Sequence, residues 1–370
     1  MNLQQQAQRL LDPAGITING SNPWDIQVHD ERLYARVLRQ GSIGLGEAYM
    51  DGWWDAPALD QFADRLLRAQ VHRRVAGSWK TRLMMLAHWV FNFQSRSRAF
   101  QVGQQHYDIG NDLYTRMLDP RMVYTCAYWK EAKTLTKAQE AKLDLVCRKL
   151  GIKEGHRVLD IGCGWGSFAK FAAEKYGAQV VGVTVSVEQA KLAQKNCEGL
   201  PVEIRVQDYR DVNEKFDRIV SLGMFEHVGH KNYRTYMEVA RRCLKDDGLF
   251  LLHSIGSLRS VASTDPWMEK YIFTNGMLPS VAQIGKAAEE LFVMEDWHNF
   301  GAYYDLTLMA WNENFQKAWP ELSEKYGERF KRMWEYYLLM CAGSFRARTN
   351  QLWQIVLSPH GVAGGYQTVR

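Results

Sequence analysis

The stretch Arg157-Val158-Leu159-Asp160-Ile161-Gly162-Cys163-Gly164-Trp165-Gly166 constrains this chain more than any other. An apolar run containing an aspartate passes into three glycines at alternate positions, and an amphipathic pattern resumes at Ser167. Glycine admits positive φ and carries no Cβ, so such a turn lets the main chain approach a ligand while the following helix presents unpaired N–H groups. The pattern predicts a strand, a ligand-binding turn and a helix, the opening unit of a doubly wound α/β fold. Many nucleotide-binding proteins and purely structural turns share Gly-x-Gly-x-Gly, so residues further along must identify the ligand.

The rest of the chain extends that unit. Strands are predicted at 157–161, 179–184, 202–206, 216–222 and 248–254, then at 292–296 and 353–357. Helical patterns fall at 132–150, between most strands and within 304–342. This alternation implies the α/β class, a mostly parallel sheet with helices on both faces. Ahead of it, helices are predicted at 4–11 and 31–40, with a strand pair around 16–28. Residues 41–47 are glycine-rich but lack a preceding strand and a Lys-Ser/Thr ending, so they read as a connector, not a phosphate loop. A length of 370 residues suits one large and one smaller domain. The boundary is placed between a small, mainly helical lipid-interacting domain, 1–102, and a catalytic domain, 103–370.

Charge distribution says more than the modest net charge of +5. Between Asp64 and Asp108 there is no acidic residue, whereas Arg65, Arg68, Arg73, Arg74, Lys80, Arg82, Arg96 and Arg98 are basic. Leu66, Leu67, Val71, Val75, Trp79, Leu83, Leu86 and Val90 recur at helical spacing, predicting basic amphipathic helices over 59–100, broken near Gly77. Two readings stay open: a helical domain with a solvated basic face, or an interfacial helix for anionic lipid with Trp79, Trp89, Phe91 and Phe93 at headgroup depth. No nucleic-acid-binding motif accompanies the charge, and no nucleic-acid partner is expected. The six cysteines, at 126, 147, 163, 197, 243 and 341, form no Cys-x-x-Cys pair, which fits a reducing compartment. The first residues lack the features of a signal peptide, and the longest nearly apolar stretch, 83–93, is too short to span a bilayer. A cytoplasmic protein able to touch a membrane is expected. His227, His230 and His253 lack a closed set of partners, so no metal is expected.

Ligands of open parallel sheets bind beyond the carboxyl ends of the strands. That rule selects Asp160, Gly162, Gly164 and Gly166 at the first strand, and Thr184 with Gln189 at the second. It selects Gln207, Asp208 and Tyr209 at the third, Glu226 just past the fourth, and His253 with Ile255 at the fifth. A dinucleotide site normally carries a carboxylate after the second strand, yet Val-Gly-Val-Thr-Val-Ser offers none. Thr184 and Gln189 could bond a ribose or an amino-acid moiety, and Asp208 could accept from an adenine amino group. Thr184 suits capping of the next helix equally well. Glu226 and His253 close neighbouring strands, one or two spacings of roughly 5 Å apart, so two titratable groups share one crevice.

Several motifs resemble the cyclopropane-fatty-acyl-phospholipid synthases. They are Tyr-Thr-Cys-Ala-Tyr-Trp at 124–129, Leu-Asp-Ile-Gly-Cys-Gly-Trp-Gly at 159–166, Gly-Val-Thr-Val-Ser-x-Glu-Gln at 182–189 and Gln-Asp-Tyr-Arg-Asp at 207–211. Gly-Met-Phe-Glu-His-Val-Gly at 223–229, Leu-Leu-His-Ser-Ile-Gly at 251–256, Tyr-Ile-Phe-x-Asn-Gly-x-Leu-Pro-Ser at 271–280 and Asp-Trp-His-Asn-Phe-Gly at 296–301 continue the match. The resemblance implies a Rossmann-like class I methyltransferase fold and an enzyme using S-adenosylmethionine to add a methylene across a cis double bond of an unsaturated phospholipid acyl chain. It further implies a homodimer peripherally bound at the inner face of the cell membrane. By the same resemblance, Tyr124, Thr125, Gly162, Gly164, Thr184, Gln189 and Asp208 line the cofactor site. Cys126, Glu226, His253 and Tyr304, with Ile255 beside His253, hold a bicarbonate ion.

Chemistry gives that ion a purpose. An alkene attacking a sulfonium methyl leaves a carbocation-like species, and ring closure then requires loss of a proton to a base inside an apolar site. Cys126 lines such a site, since no acyl-enzyme step is needed. Cys341 is a second candidate nucleophile, with a core cysteine as the plainer account. One departure concerns Ala302-Tyr303-Tyr304-Asp305, where an acidic residue more often precedes the tyrosine and Tyr303 competes for its role. Trp311, Phe315 and Trp319 recur every four residues, as core or as an acyl-chain wall. Transfer of an intact methyl group and non-catalytic lipid binding are the competing functions.

Overall fold

The computed structural model describes residues 1–71 and 110–370. The basic amphipathic stretch beyond residue 71, with Trp79, Trp89, Phe91 and Phe93, lies outside the described residues, as does the boundary placed after residue 102. Two compact units emerge, neither continuous in sequence. The first comprises Met1–Phe91, Ser263–Thr274 and Tyr304–Asn350, and the second Asn92–Ala262, Asn275–Tyr303 and Gln351–Arg370. Segments 263–274 and 304–350 thus group with the N-terminal residues, which no contiguous cut of the sequence anticipates.

The first unit begins with α1 (Leu3–Leu11), where Asn2 and Gln5 form a reciprocal capping box. The strand pair expected around 16–28 is reduced to a single bridge between Ile18 and Ile26. β1 (Gln27–Val28) pairs instead with the distant β2 (Trp54–Asp55), antiparallel. After α2 (Arg32–Gln40), the segment read as a connector is helical from residue 42, within α3 (Ser42–Met50), with Gly41 at its N-cap. Its glycines serve close packing: a Cβ on Gly44 would stand 2.6 Å from the Arg36 carbonyl oxygen, and one on Gly46 2.4 Å from the Trp267 ring. Glycine costs about 1 kcal/mol in a helix interior relative to alanine, and tertiary contact overrides that propensity here. α4 (Leu59–Arg68) follows.

In the second unit, α5 (Asn111–Met117) and α6 (Leu135–Lys149) lead into β3 (Arg157–Ile161). Then come α7 (Ser167–Tyr176), β4 (Gln179–Thr184), α8 (Val187–Asn196), β5 (Val202–Val206), β6 (Phe216–Leu222), α9 (Tyr233–Cys243) and β7 (Leu244–Ser257). α10 (Val281–Ala288), β8 (Val293–Asn299) and β9 (Asn350–Ser358) complete it. The seven strands lie in the order β5-β4-β3-β6-β7-β9-β8. The pairs β3–β4, β4–β5, β3–β6 and β6–β7 are parallel, and β8–β9 is antiparallel. All seven expected strands are present. Alternation divides the core between the two faces: Val158, Val180 and Leu251 join one cluster, and Leu159, Val181 and Leu252 the other. With β4 on one side of β3 and β6 on the other, the strand order reverses at β3, where such sheets open a crevice.

Two long helices, α11 (Ala302–Tyr326) and α12 (Glu328–Arg346), supply the later part of the first unit. Arg346 bonds both oxygens of Asp305 at 2.9 Å and Asp60 at 2.6 Å, tying together α11, α12 and α4. Trp311 and Phe315 are buried, and the less buried Trp319 packs its ring on Phe315. No helix among the described residues is long and apolar enough to cross a membrane.

Candidate active site

Each glycine of the turn after β3 has positive φ: 82° at Gly162, 55° at Gly164 and 81° at Gly166. Their surroundings differ. A Cβ on Gly162 would stand 2.6 Å from Met224 Cγ, and one on Gly166 3.1 Å from Cys197 Sγ and 3.2 Å from Ala193 Cβ. Gly164 meets only the Gln189 amide nitrogen, at 4.0 Å. The outer glycines therefore serve packing, and Gly164 leaves room for a ligand against the main chain. Asp160 is buried, which pushes its carboxyl up to about 7 against the opposing charge of Lys142, and its Oδ2 has no partner.

Beyond β4, the cap of α8 is Ser186, whose hydroxyl accepts from the Gln189 N–H at 3.3 Å. Thr184 is thereby relieved of capping. Its hydroxyl accepts from the Ser186 N–H at 3.2 Å and donates to Gln189 Oε1 at 3.3 Å, fixing the Gln189 side chain. Asp208 Oδ1 accepts from the N–H and the Nε of Arg210, at 3.0 and 2.9 Å. Its Oδ2 is buried without a partner, an acceptor available to an amino group. Gln207 links β5 to β4 through its main chain, its N–H donating to the Thr184 carbonyl. The Tyr209 ring packs into the core against Tyr236, and burial raises its phenol to about 12. Tyr124 stacks edge-on to Tyr114, which also meets Trp165 of the glycine turn.

Glu226 and His253 come together through the β6–β7 register. Leu222 lies opposite His253, and the Gly223 N–H donates to the His253 carbonyl at 2.9 Å. A short 3-10 turn, Phe225–His227, then carries Glu226 back over β7, where its Oε1 accepts from the Ile255 N–H at 2.7 Å. Ile255 thus enters the site by holding Glu226. Burial raises the Glu226 carboxyl to about 7, opposed by the Ile255 amide and the Ser254 side chain, and Oε2 has no partner. His253 is buried, and the Gln354 amide donates to its Nδ1 at 3.3 Å, which leaves the ring proton on Nε2. Burial and the charges of Lys142 and Lys149 keep the imidazole neutral by holding its pKa well below the ordinary value. Among the described residues His253 Nε2 also lacks a partner. Buried polar atoms are almost always paired, so these two atoms without partners among the described residues, one just past β6 and one on β7, stand out.

The remaining expected residues divide between the units. Cys126 is buried in the second unit, its Sγ 3.3 Å from the Ala127 carbonyl. Tyr304 belongs to the first, packed on Phe345 and Trp311, whereas Tyr303 belongs to the second, edge-on to Tyr128. Cys341 lies in the first unit, where burial pushes its thiol up to about 12 and disfavours the nucleophilic thiolate. Gln139, Lys142 and Gln354, which no sequence motif marks, also meet expected residues. Gln139 donates to the Thr125 carbonyl at 2.8 Å, and Lys142 to the Thr125 hydroxyl at 2.7 Å. The visible signal for Gln139 and Lys142 is three polar residues, 139, 142 and 149, on the buried stripe of one helix.

The family model for mycolic acid cyclopropane synthetase matches residues 94–355. Cyclopropane-fatty-acyl-phospholipid synthase of Escherichia coli strain K12 is 57% identical over 369 residues, covering 100% of this chain and 96% of the relative. Among solved structures, the cyclopropane synthase MmaA2 of Mycobacterium tuberculosis is 32% identical with a TM-score of 0.65, covering 70% of this chain and 97% of that one. The mycolic acid cyclopropane synthase CmaA1, solved in complex with SAH and CTAB, gives the same identity, TM-score and coverage. The glycine turn, the acceptor on Asp208 and the buried Glu226–His253 centre sit on the fold these relatives share, and the chain belongs to the mycolic acid cyclopropane synthetase family of S-adenosylmethionine-dependent enzymes.

Proposed function

We propose that this protein transfers a methylene group from S-adenosylmethionine to the cis double bond of unsaturated acyl chains in membrane phospholipids, with bicarbonate bound between Glu226 and His253. The observation that carries the reading is the pair of buried, unpartnered atoms, Glu226 Oε2 and His253 Nε2, at the carboxyl ends of paired strands. When bound, S-adenosylmethionine supplies an electrophilic methyl carbon, and bicarbonate a base for the proton released on ring closure.

The chain's own residues orient and insulate. Asp208 Oδ2 takes the adenine amino group, Thr184 and Gln189 hold the ribose or amino-acid portion, and Gly164 lets the main chain approach. Tyr124 and Thr125 close the same site. Near neutral pH the Glu226 carboxyl is partly protonated, so it shares a proton with the anion in place of repelling it. His253 contributes an N–H without adding charge, and Cys126 an apolar wall. Burial keeps water from capturing the developing cation, and fixed dipoles act more strongly there than in solvent. The phospholipid substrate is that in the name of the Escherichia coli relative. A homodimer docked at the inner face of the membrane by the basic stretch between Asp64 and Asp108 completes the reading.

Mass spectrometry of unsaturated phospholipid vesicles, incubated with the protein and methyl-labelled S-adenosylmethionine, tests it. The expected product gains one CH₂, retains two label hydrogens and loses its double bond. Retention of three label hydrogens identifies methyl transfer and overturns the proposal.

A further inference from the structure

Lys142 stands where a lysine is least expected. It lies on the buried face of α6 with no exposed surface, and among the described residues its one hydrogen bond runs from Nζ to the Thr125 hydroxyl at 2.7 Å. An ammonium has three donors, and a buried charge is costly unless each interaction counts. Asp119, Cys126 and Asp160 favour its charged form, and its field acts in turn on His253.

Thr125 is gripped from two sides. Its hydroxyl faces Lys142, and its methyl seats over Gly223, where a Cβ would approach Thr125 Cγ2 to 2.7 Å. Gln139, one turn before Lys142 on the same helix, holds the Thr125 carbonyl. Gly223 opens the turn that carries Glu226, and Thr125 precedes Cys126. The two segments bearing site residues are therefore registered through one threonine, and that threonine is held by one buried cation.

We propose that Lys142 is a positioning residue of the proton-accepting site: its ammonium fixes Thr125 against Gly223, so setting Cys126 relative to Glu226, and its charge draws a small oxyanion toward Glu226 and His253. The proposal rests on the functional reading above. Within it, Lys142 touches neither alkene nor cofactor. Burial lowers its pKa to about 8, so the attraction weakens as pH rises through that value.

Lys142→Met keeps the side chain's length and removes its charge, and Thr125→Val keeps the shape and removes the acceptor. In Lys142→Met, the bicarbonate concentration for half-maximal rate is expected to rise at least tenfold and kcat to fall about tenfold. Calorimetric affinity for S-adenosylmethionine stays within threefold, and the loss of rate above pH 8 expected of the wild type disappears. Thr125→Val, which retains the charge, lowers kcat tenfold with a smaller change in bicarbonate dependence, and this keeps the test open should Lys142→Met fold poorly. Unchanged kcat and bicarbonate dependence in both variants overturns the role of Lys142. So does a loss of cofactor affinity that accounts for the whole loss of rate. A wild-type protein that forms no ring overturns the functional reading itself, whereas a wild type that forms it beside two equally active variants removes only Lys142.

Discussion

Glu226 joins two demands in one side chain. Burial raises its pKa from 4.5 to about 7, so between those values the native state holds a proton that the unfolded chain has released. Its contribution to stability is therefore fully present below about pH 4.5 and is lost as pH rises through about 7. Glu226→Gln is expected to lower turnover about a hundredfold while S-adenosylmethionine affinity stays within threefold, since Gln keeps the shape but cannot share a proton with the anion. At pH 8 the same variant should unfold at higher denaturant, by on the order of 1–3 kcal/mol, because the wild type then buries a charge. Loss of cofactor binding in calorimetry, or a variant less stable than the wild type at pH 8, contradicts this account.

The glycine turn separates packing from binding among residues of one type. Gly162→Ala forces a Cβ into Met224 at positive φ, and is expected to cost about 2 kcal/mol or more in urea denaturation. Gly164→Ala meets open space, so its cost stays near 1 kcal/mol of backbone strain, yet it should weaken S-adenosylmethionine at least tenfold. Equal effects of the two substitutions on cofactor affinity would sink this division. The helices are equally particular. α8 is capped by Ser186, not by Thr184, and that two-residue offset frees the threonine hydroxyl to fix Gln189. α6 brings Gln139 and Lys142 to Thr125 because residues three apart share a face.

For the chain as a folding entity, the first unit makes a sharp demand. Gly343 on α12 lies so close to α4 that a Cβ would stand 2.4 Å from Ala63 Cβ and 2.5 Å from the Asp60 carbonyl oxygen. Gly343→Leu is expected to destabilise the protein by about 3 kcal/mol or more. Hydrogen exchange should show the amides of α4 and α12 losing protection together, although almost 260 residues separate them in sequence. Loss of protection in α12 alone would mean that the two helices do not form one cooperative unit.

The sheet was legible because parallel strands, buried on both faces, read as continuous apolar runs between helical periods. The placement of Gly162, Gly164, Asp208, Glu226 and His253 at strand ends was legible from the strand pattern, and strand ends collect ligands whatever the separation in sequence. The linear chain by itself determined those strands, the glycine turn and the residues at its mouth, all of them local in pattern. Only the tertiary structure decided that residues 42–47 are helical, that 263–274 and 304–350 group with the N-terminal residues, and that Lys142 bonds Thr125 and Gln354 bonds His253. Each of these depends on contacts between distant segments, where a missing Cβ or a single buried hydrogen bond outweighs local propensity, and no period along the chain records such a contact.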